Sequence, residues 1–196
     1  MMKDNEFDEK LKYLTSVVKT YPDFPKKGVL FYDIFSILSD PKASEVMFEL
    51  SIEVISKRLK LSGVKVDLIV GLETRGFLIG SVIALKLGLG FIPIRKHTEK
   101  GSKLPGEIFT VKYETEYSKD QFDLPSNYFK KGCNVLIVDD LVATGGSLRA
   151  AEDLLTQAGC NVVGVFCPFE LVILKGRDKL QKVKSEDFLS LIKYND

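Results

Sequence analysis

Four short runs, "VDLIV" (66–70), "GFIPIRK" (90–96), "NVLIVDD" (134–140) and "NVVGVFC" (161–167), are apolar with little or no alternation. A strand with one wet face alternates, whereas a continuously apolar run is buried on both sides. Helical stretches separate these runs: "GFLIGSVIALK" (76–86) between the first two, and residues 147–158, closed by Gly159, between the last two. Doubly buried strands alternating with helices predict an α/β fold: an open, mainly parallel twisted sheet with helices on both faces. At 196 residues the chain can bury a full core but would be cramped as two domains, so it reads as one domain over 1–196.

Ahead of the sheet, Leu11, Leu14 and Val18 recur at helical spacing and predict a helix over 4–20, ended by Pro22 and Pro25. An irregular segment, "YPDFPKKGVLFYDI", follows. Asp40 then reads as a helix cap and Pro41 as the first helical position, with Phe48, Ile52, Ile55 and Leu59 forming the apolar stripe. Residues 97–131 break the strand–helix rhythm, being polar and rich in Lys, Glu, Tyr and Gly. Within them "EIFTVKYETEY" alternates like an exposed hairpin arm, so the segment is expected to be a mobile flap. The charged tail from residue 182 receives no function.

The formal net charge is +1, which gives no reason to expect strong non-specific attraction to nucleic acid or an anionic membrane. The longest apolar runs are strand-sized, so no transmembrane helix is expected. Cys133, Cys160 and Cys167 form no C-x-x-C pair and are odd in number, which favours a reducing compartment. The opening residues lack the apolar centre of a signal peptide, and a cytoplasmic location is the expectation. His97 is the sole histidine, which disfavours Ser-His-Asp chemistry and a His-rich metal site.

The stretch "NVLIVDDLVATGGS" carries the chemistry. In open parallel sheets, ligands sit beyond the carboxyl ends of the strands, where Asp139 and Asp140 would stand. The loop Ala143, Thr144, Gly145, Gly146, Ser147 leads into a helix start, where converging N–H groups suit a phosphate. Carboxylates repel phosphate but accept hydrogen bonds from vicinal hydroxyls. Together the two halves suggest a ribose bearing a 5′-phosphate. A Walker B strand would need a G-x-x-x-x-G-K-[ST] loop, which the sequence lacks. A receiver-type phosphorylation site would place paired acids on an early strand without the glycine loop. A dinucleotide fold would need a third glycine where Pro93 stands after Gly88 and Gly90.

"VLIVDDLVATGGS" closely resembles the phosphoribosyl-pyrophosphate (PRPP) signature of the type I phosphoribosyltransferases. "YPDFPKKGVLFYDI", "GLETRGFLIG", "IRK" with "KLPGE", "ETEYS" and "FELVILKGRDKL" resemble the adenine phosphoribosyltransferases, in that family's order. The resemblance covers roughly residues 20 to 181. It implies a single domain with an N-terminal hood segment, an adenine segment at about 22–36 and a flap at about 97–131.

The implied reaction is adenine plus PRPP giving AMP and pyrophosphate, in purine salvage. The resemblance gives Asp139 and Asp140 the ribose hydroxyls and the developing oxocarbenium charge. It gives residues 143–147 the 5′-phosphate, with Ser147 where the family usually has Thr. Glu73, Thr74, Arg75, Arg95, Lys96 and Lys103 fall to pyrophosphate, with an unusual peptide conformation at the Glu73–Thr74 turn. Phe31 would stack on adenine while main-chain groups at Leu30 and Tyr32 read its edge; Tyr32 stands where the family often has a basic residue. Glu116 would handle proton transfer at the purine. Mg2+ is expected on substrate oxygens and water, without direct protein ligands, and a homodimer is implied. The chain departs from the family between Lys96 and Lys103, where "HTEKGS" lengthens the flap base. Another purine as substrate, or an inactive PRPP- or AMP-binding paralogue, are the alternatives.

Overall fold

The structure is a computed structural model that describes residues 2–98, 101–102, 104–114 and 119–195. Lys103 and Glu116 lie outside the described residues. The chain forms two compact units, Met1–Lys57 and Arg58–Asp196.

In the first unit, α1 (Asp4–Val17) precedes the strands β1 (Lys19–Pro22) and β2 (Leu30–Asp33), which pair antiparallel from Lys19 opposite Asp33 to Pro22 opposite Leu30. The expected helix over 4–20 stops at Val17 because the next residues pair as β1 instead. The turn between the strands is fixed by Asp23, whose carboxylate accepts the Gly28 N–H at 2.7 Å. After the short α2 (Phe35–Leu38) comes α3 (Pro41–Ser62), whose residues from Arg58 onward belong to the second unit. Asp40 caps it as the sequence predicts: its Oδ1 accepts the Ala43 N–H at 2.8 Å.

The second unit holds β3 (Leu68–Leu72), α4 (Arg75–Leu87), β4 (Gly90–Lys96), β5 (Ile108–Glu114), β6 (Lys119–Pro125), β7 (Asn134–Val138), β8 (Leu141–Val142), α5 (Gly146–Gln157), β9 (Asn161–Leu171) and β10 (Phe188–Tyr194). They build one sheet in the order β10-β9-β7-β3-β4-β6-β5, with β8 beside β9. From β10 to β4 all neighbours are parallel; β6 and β5 join antiparallel. Side chains alternate across a strand, and the helices divide accordingly. Val70, Leu72, Val135 and Ile137 share a buried cluster with Leu148, Ala151, Leu154 and Leu155 of α5. On the other face α4 approaches Ile69 and Phe91, where a Cβ on Gly80 would lie 3.5 Å and 2.9 Å from their side chains.

Two further expectations need correction. The first core strand runs over Leu68–Leu72 rather than 66–70. It continues through Gly71 because that residue leaves room: a Cβ there would come within 2.6 Å of the Gly76 carbonyl oxygen. The hairpin β5–β6 forms as its alternation indicates, but it is not an exposed arm. Tyr113, Phe122 and Leu124 are buried in the α5-side core, with the Tyr113 and Phe122 ring centroids 4.3 Å apart. The alternation marks a half-buried edge of the sheet rather than a free limb. The charged tail, to which no function is assigned, contains β10, which pairs in parallel with β9 from Phe188 opposite Val165 to Tyr194 opposite Leu171.

Candidate active site

Loops that leave the carboxyl ends of β3, β4, β7 and β8 supply the site. Asp139 and Asp140 follow β7 directly and are tied to β9: the Asp139 N–H donates to the Phe166 carbonyl at 3.2 Å, and the Phe169 N–H to the Asp140 carbonyl at 3.1 Å. The Asp140 N–H also donates to Asp139 Oδ1 at 2.9 Å, which fixes the first carboxylate. Asp140 is buried, and Arg75 Nε meets its Oδ2 at 2.9 Å.

Both acids are held in an environment that disfavours their charge. Asp139 is half-buried, with the Asp140 N–H and the Gly76 backbone close to its carboxylate. Burial first, and then the Asp140 charge, push its pKa well above the ordinary range. Burial also raises Asp140, against the opposing pull of Arg75. Two adjacent carboxylates with one guanidinium are poor structural cement. They suit a ligand that brings hydroxyl donors and positive charge.

Arg75 begins α4, and the Glu73–Thr74 peptide before it is cis. The turn packs tightly on β7, since a Cβ at Gly76 would lie 2.6 Å from the Val138 carbonyl oxygen and 3.2 Å from Asp139 Oδ1. Glu73 does more than lend its backbone. Its Oε2 receives Arg95 Nε at 3.0 Å and the Lys96 N–H at 2.6 Å, and its own N–H donates to Ile94 at 3.0 Å. Glu73 therefore orients the cationic end of β4, a role that residue type alone does not reveal. The Arg95 guanidinium also stands over the Phe77 ring at 5.9 Å.

Ala143, Thr144 and Gly145 form the loop after β8, and Gly146 and Ser147 open α5. Gly145 caps the helix with φ +79°, a left-handed conformation suited to glycine. Its carbonyl accepts the Arg149 N–H at 2.9 Å. The first N–H groups of α5 thus emerge at this loop without intrahelical partners, as an anion cradle requires. Beside it runs the backbone of Gly176, close enough that a Cβ on Gly145 would strike the Gly176 carbonyl.

In the other unit, Leu30 is exposed, Phe31 is half-buried and Tyr32 is buried. Phe31 meets Phe24 edge-to-face with centroids 5.1 Å apart. His97 Nδ1 lies 2.8 Å from Asp123 Oδ2, while Thr110 donates to Asp123 Oδ1 at 2.9 Å. The histidine of the lengthened segment is thereby engaged with a fully buried acid.

With this geometry in view, comparison with known proteins is direct. A family model of the phosphoribosyl transferase domain matches residues 42–195. A protein of Drosophila pseudoobscura pseudoobscura named adenine phosphoribosyltransferase is 46% identical over 188 residues, 95% of this chain and 97% of the relative. Adenine phosphoribosyltransferase 1 of Saccharomyces cerevisiae is 45% identical over 162 residues, 82% of each chain. The solved structure of adenine phosphoribosyltransferase from Saccharomyces cerevisiae, complexed with D-2,5-dideoxy-2,5-imino-altritol 1,6-bisphosphate and adenine, matches with a TM-score of 0.82 at 40% identity. That match covers 94% of this chain and 99% of the other. The Giardia lamblia enzyme complexed with 9-deazaadenine also gives a TM-score of 0.82, at 32% identity, over 95% of this chain and 98% of its own.

Proposed function

The chain belongs to the phosphoribosyltransferase family, among the adenine phosphoribosyltransferases, and from that premise we propose how its residues share the reaction. It joins adenine to the ribose of PRPP, releasing pyrophosphate and forming AMP in purine salvage. The observation that carries the division of labour is the enclosed Asp139–Asp140 pair beside a glycine-capped helix start.

Asp139 and Asp140 hold the 2′ and 3′ hydroxyls. As the bond to pyrophosphate lengthens, positive charge grows on the ribose, and the two carboxylates favour it. The Arg75–Asp140 ion pair supports this reading, since it holds a guanidinium beside one of the two carboxylates. Residues 143–147 cradle the 5′-phosphate through backbone N–H groups and the Thr144 and Ser147 hydroxyls. Arg75, Arg95, Lys96 and Lys103 receive the pyrophosphate, with Glu73 and Thr74 shaping the turn. Glu116 transfers the proton at the purine.

The base falls to Leu30, Phe31 and Tyr32. With the Tyr32 ring buried, its contribution is main-chain, while Phe31 offers a ring face. Asp139 and Asp140 also suit, as hard oxygen donors, a hydrated Mg2+ carried by the substrate. When bound, that ion supplies neutralisation of the leaving pyrophosphate. A homodimer is supported by α4, which leaves Leu78 and Leu85 exposed at 44% and 81%. The three cysteines are free thiols, which fits a cytoplasmic setting. No helix among the described residues is long and apolar enough to cross a membrane.

The test is base specificity: purified protein, Mg2+ and PRPP, with adenine, hypoxanthine, guanine and xanthine offered separately. AMP formation with adenine strongly preferred is expected. Comparable turnover of another purine would overturn the assignment of the base to Leu30–Tyr32, and PRPP binding without turnover would leave only a binding role.

A further inference from the structure

On the reading that residues 143–147 hold the 5′-phosphate, we propose that Glu170, Arg177 and Ser190 form a positioning unit for that loop. Glu170 sits one residue before the end of β9 and is 95% out of solvent as a side chain, with 5% relative exposure. Its carboxylate is fully engaged. Arg177 Nε donates to Oε1 at 2.6 Å and Nη2 to Oε2 at 2.5 Å, a bidentate fork, while Ser190 Oγ donates to Oε2 at 2.6 Å. The guanidinium also lies 4.7 Å from the centroid of the Phe188 ring, and its Nη1 reaches the Ser185 carbonyl at 3.4 Å. One buried acid thus binds β9, β10 and the turn Gly176–Lys179 into a single piece.

That piece abuts the phosphate loop at two places. Val142, the residue before the loop, pairs with Glu170 itself in the β8–β9 register. Gly176, next to Arg177, is buried with its backbone against the loop. A Cβ on Gly176 would collide with the Ala143 carbonyl and lie 2.6 Å from Val142 Cγ2 and 2.9 Å from the Gly145 nitrogen. The loop's own glycine and its neighbour's are therefore in backbone-to-backbone contact, and a shift of the turn moves the cradle.

A buried ion pair adds little net stability over an apolar replacement, so its use here is geometric. Arg supplies a rigid planar fork that Lys does not. A cradle of N–H groups loses affinity when misplaced by about 1 Å, with penalties of up to about 100-fold. The three residues act through Gly176 on the loop.

The experiment reads each ligand separately, in both directions. PRPP and AMP carry the 5′-phosphate, and pyrophosphate does not. In Arg177→Lys, KM for PRPP and for AMP is expected to rise roughly tenfold to a hundredfold, with KM for pyrophosphate and kcat per folded molecule within about threefold. Ser190→Ala keeps the ion pair and removes one of its bonds, so it gives the same pattern at smaller size should Arg177→Lys not fold. KM values unchanged for PRPP and AMP in the folded variant, with only the melting temperature lowered, would reduce the unit to a structural tie and overturn the proposal. Gly145→Ala separates the two levels. If it raises both KM values while Arg177→Lys does not, the positioning role alone fails. If it leaves both unaltered, the phosphate assignment of residues 143–147 fails first.

Discussion

Two neighbouring strands end in buried acids with opposite circumstances. Just after β7 the pair Asp139–Asp140 has the Arg75 guanidinium on Asp140, and both pKa values are pushed up, burial being the first cause. On β9 Glu170 is also buried, and burial pushes upward there too. The Arg177 and Ser190 hydrogen bonds outweigh it, and its pKa is lowered. The fold gives Glu170 an arginine fork and a hydroxyl, whereas the Asp139 carboxylate accepts the Asp140 N–H. Where charge is satisfied, it fixes geometry; where it is left in want, it awaits a ligand. Glu152 of α5 stands with Glu170: it is buried and receives the N–H groups of Gln181, Lys182 and Val183 at 2.8, 2.7 and 3.2 Å.

The strongest way to break this comparison is the double substitution Asp139→Asn with Asp140→Asn. Turnover should fall about a thousandfold or more, because shape and one acceptor oxygen per side chain remain while the charge that favours the transition state is gone. Unchanged turnover would remove the ribose assignment. Folding should respond in the other direction. For Asp139, a folded pKa above the unfolded value of about 3.9 means that stability is lost as pH rises from about 4 towards the raised pKa. Asp139→Asn alone should therefore melt higher than the parent at neutral pH, with the gap closing below about pH 4. Equal melting curves at both pH values would contradict the enclosed-charge reading.

Glu170→Gln tests the satisfied partner. Arg177 is left facing a neutral amide, and about 2–4 kcal/mol of stability should be lost at pH 7. The figure is set below that for a fully buried pair because the Arg177 side chain is 23% exposed. The sign with pH is opposite to that of Asp139. A lowered carboxylate pKa contributes stability present above the unfolded value of about 4.3 and lost as pH falls through the folded one. Chemical denaturation at pH 7 and pH 3 should show the parent and Glu170→Gln converging in acid. A variant as stable as the parent at pH 7 would mean that the Arg177 fork contributes nothing net.

The sheet's centre was legible because β3, β4, β7 and β9 are apolar at nearly every position, a pattern that only a doubly covered strand tolerates. Asp139, Asp140 and the Thr-Gly-Gly-Ser turn were legible for a related reason, since charge and glycine interrupt that pattern abruptly. The edges were harder. In "EIFTVKYETEY" the alternation of Phe109, Val111 and Tyr113 carries the pairing, but it does not say whether α5 covers their face. In the tail, the lysines before Phe188 outweigh the short apolar run of β10 in composition. The close approaches of Gly76 to Val138 and of Gly145 to Gly176 join residues distant in sequence, and a glycine does not announce which backbone will pass beside it. Glu170, likewise, is one acid inside an apolar run, with its partner seven residues on in a turn.

The smallest expected effect concerns another buried acid, Asp123 on β6, and it sharpens the rule. Asp123 is fully buried, yet its partners are the Thr110 hydroxyl and the His97 ring rather than an arginine fork. With a carboxylate as acceptor, His97 Nδ1 must be the donor, which either the neutral Nδ1–H tautomer or the cation can provide. If hydrogen bonding rather than charge is what Asp123 requires, a neutral donor at the same place should suffice. His97→Ala, which strips the donor, should then cost about 1–2 kcal/mol in chemical denaturation. His97→Asn, whose side-chain amide nitrogen can take the place of Nδ1, should cost less than about 0.5 kcal/mol. Equal losses in the two variants would show that the imidazole acts through its charge or its packing. Asp123 would then join Glu170 as an acid compensated by a cation, and the division between satisfied and withheld charge would rest on cationic partners alone.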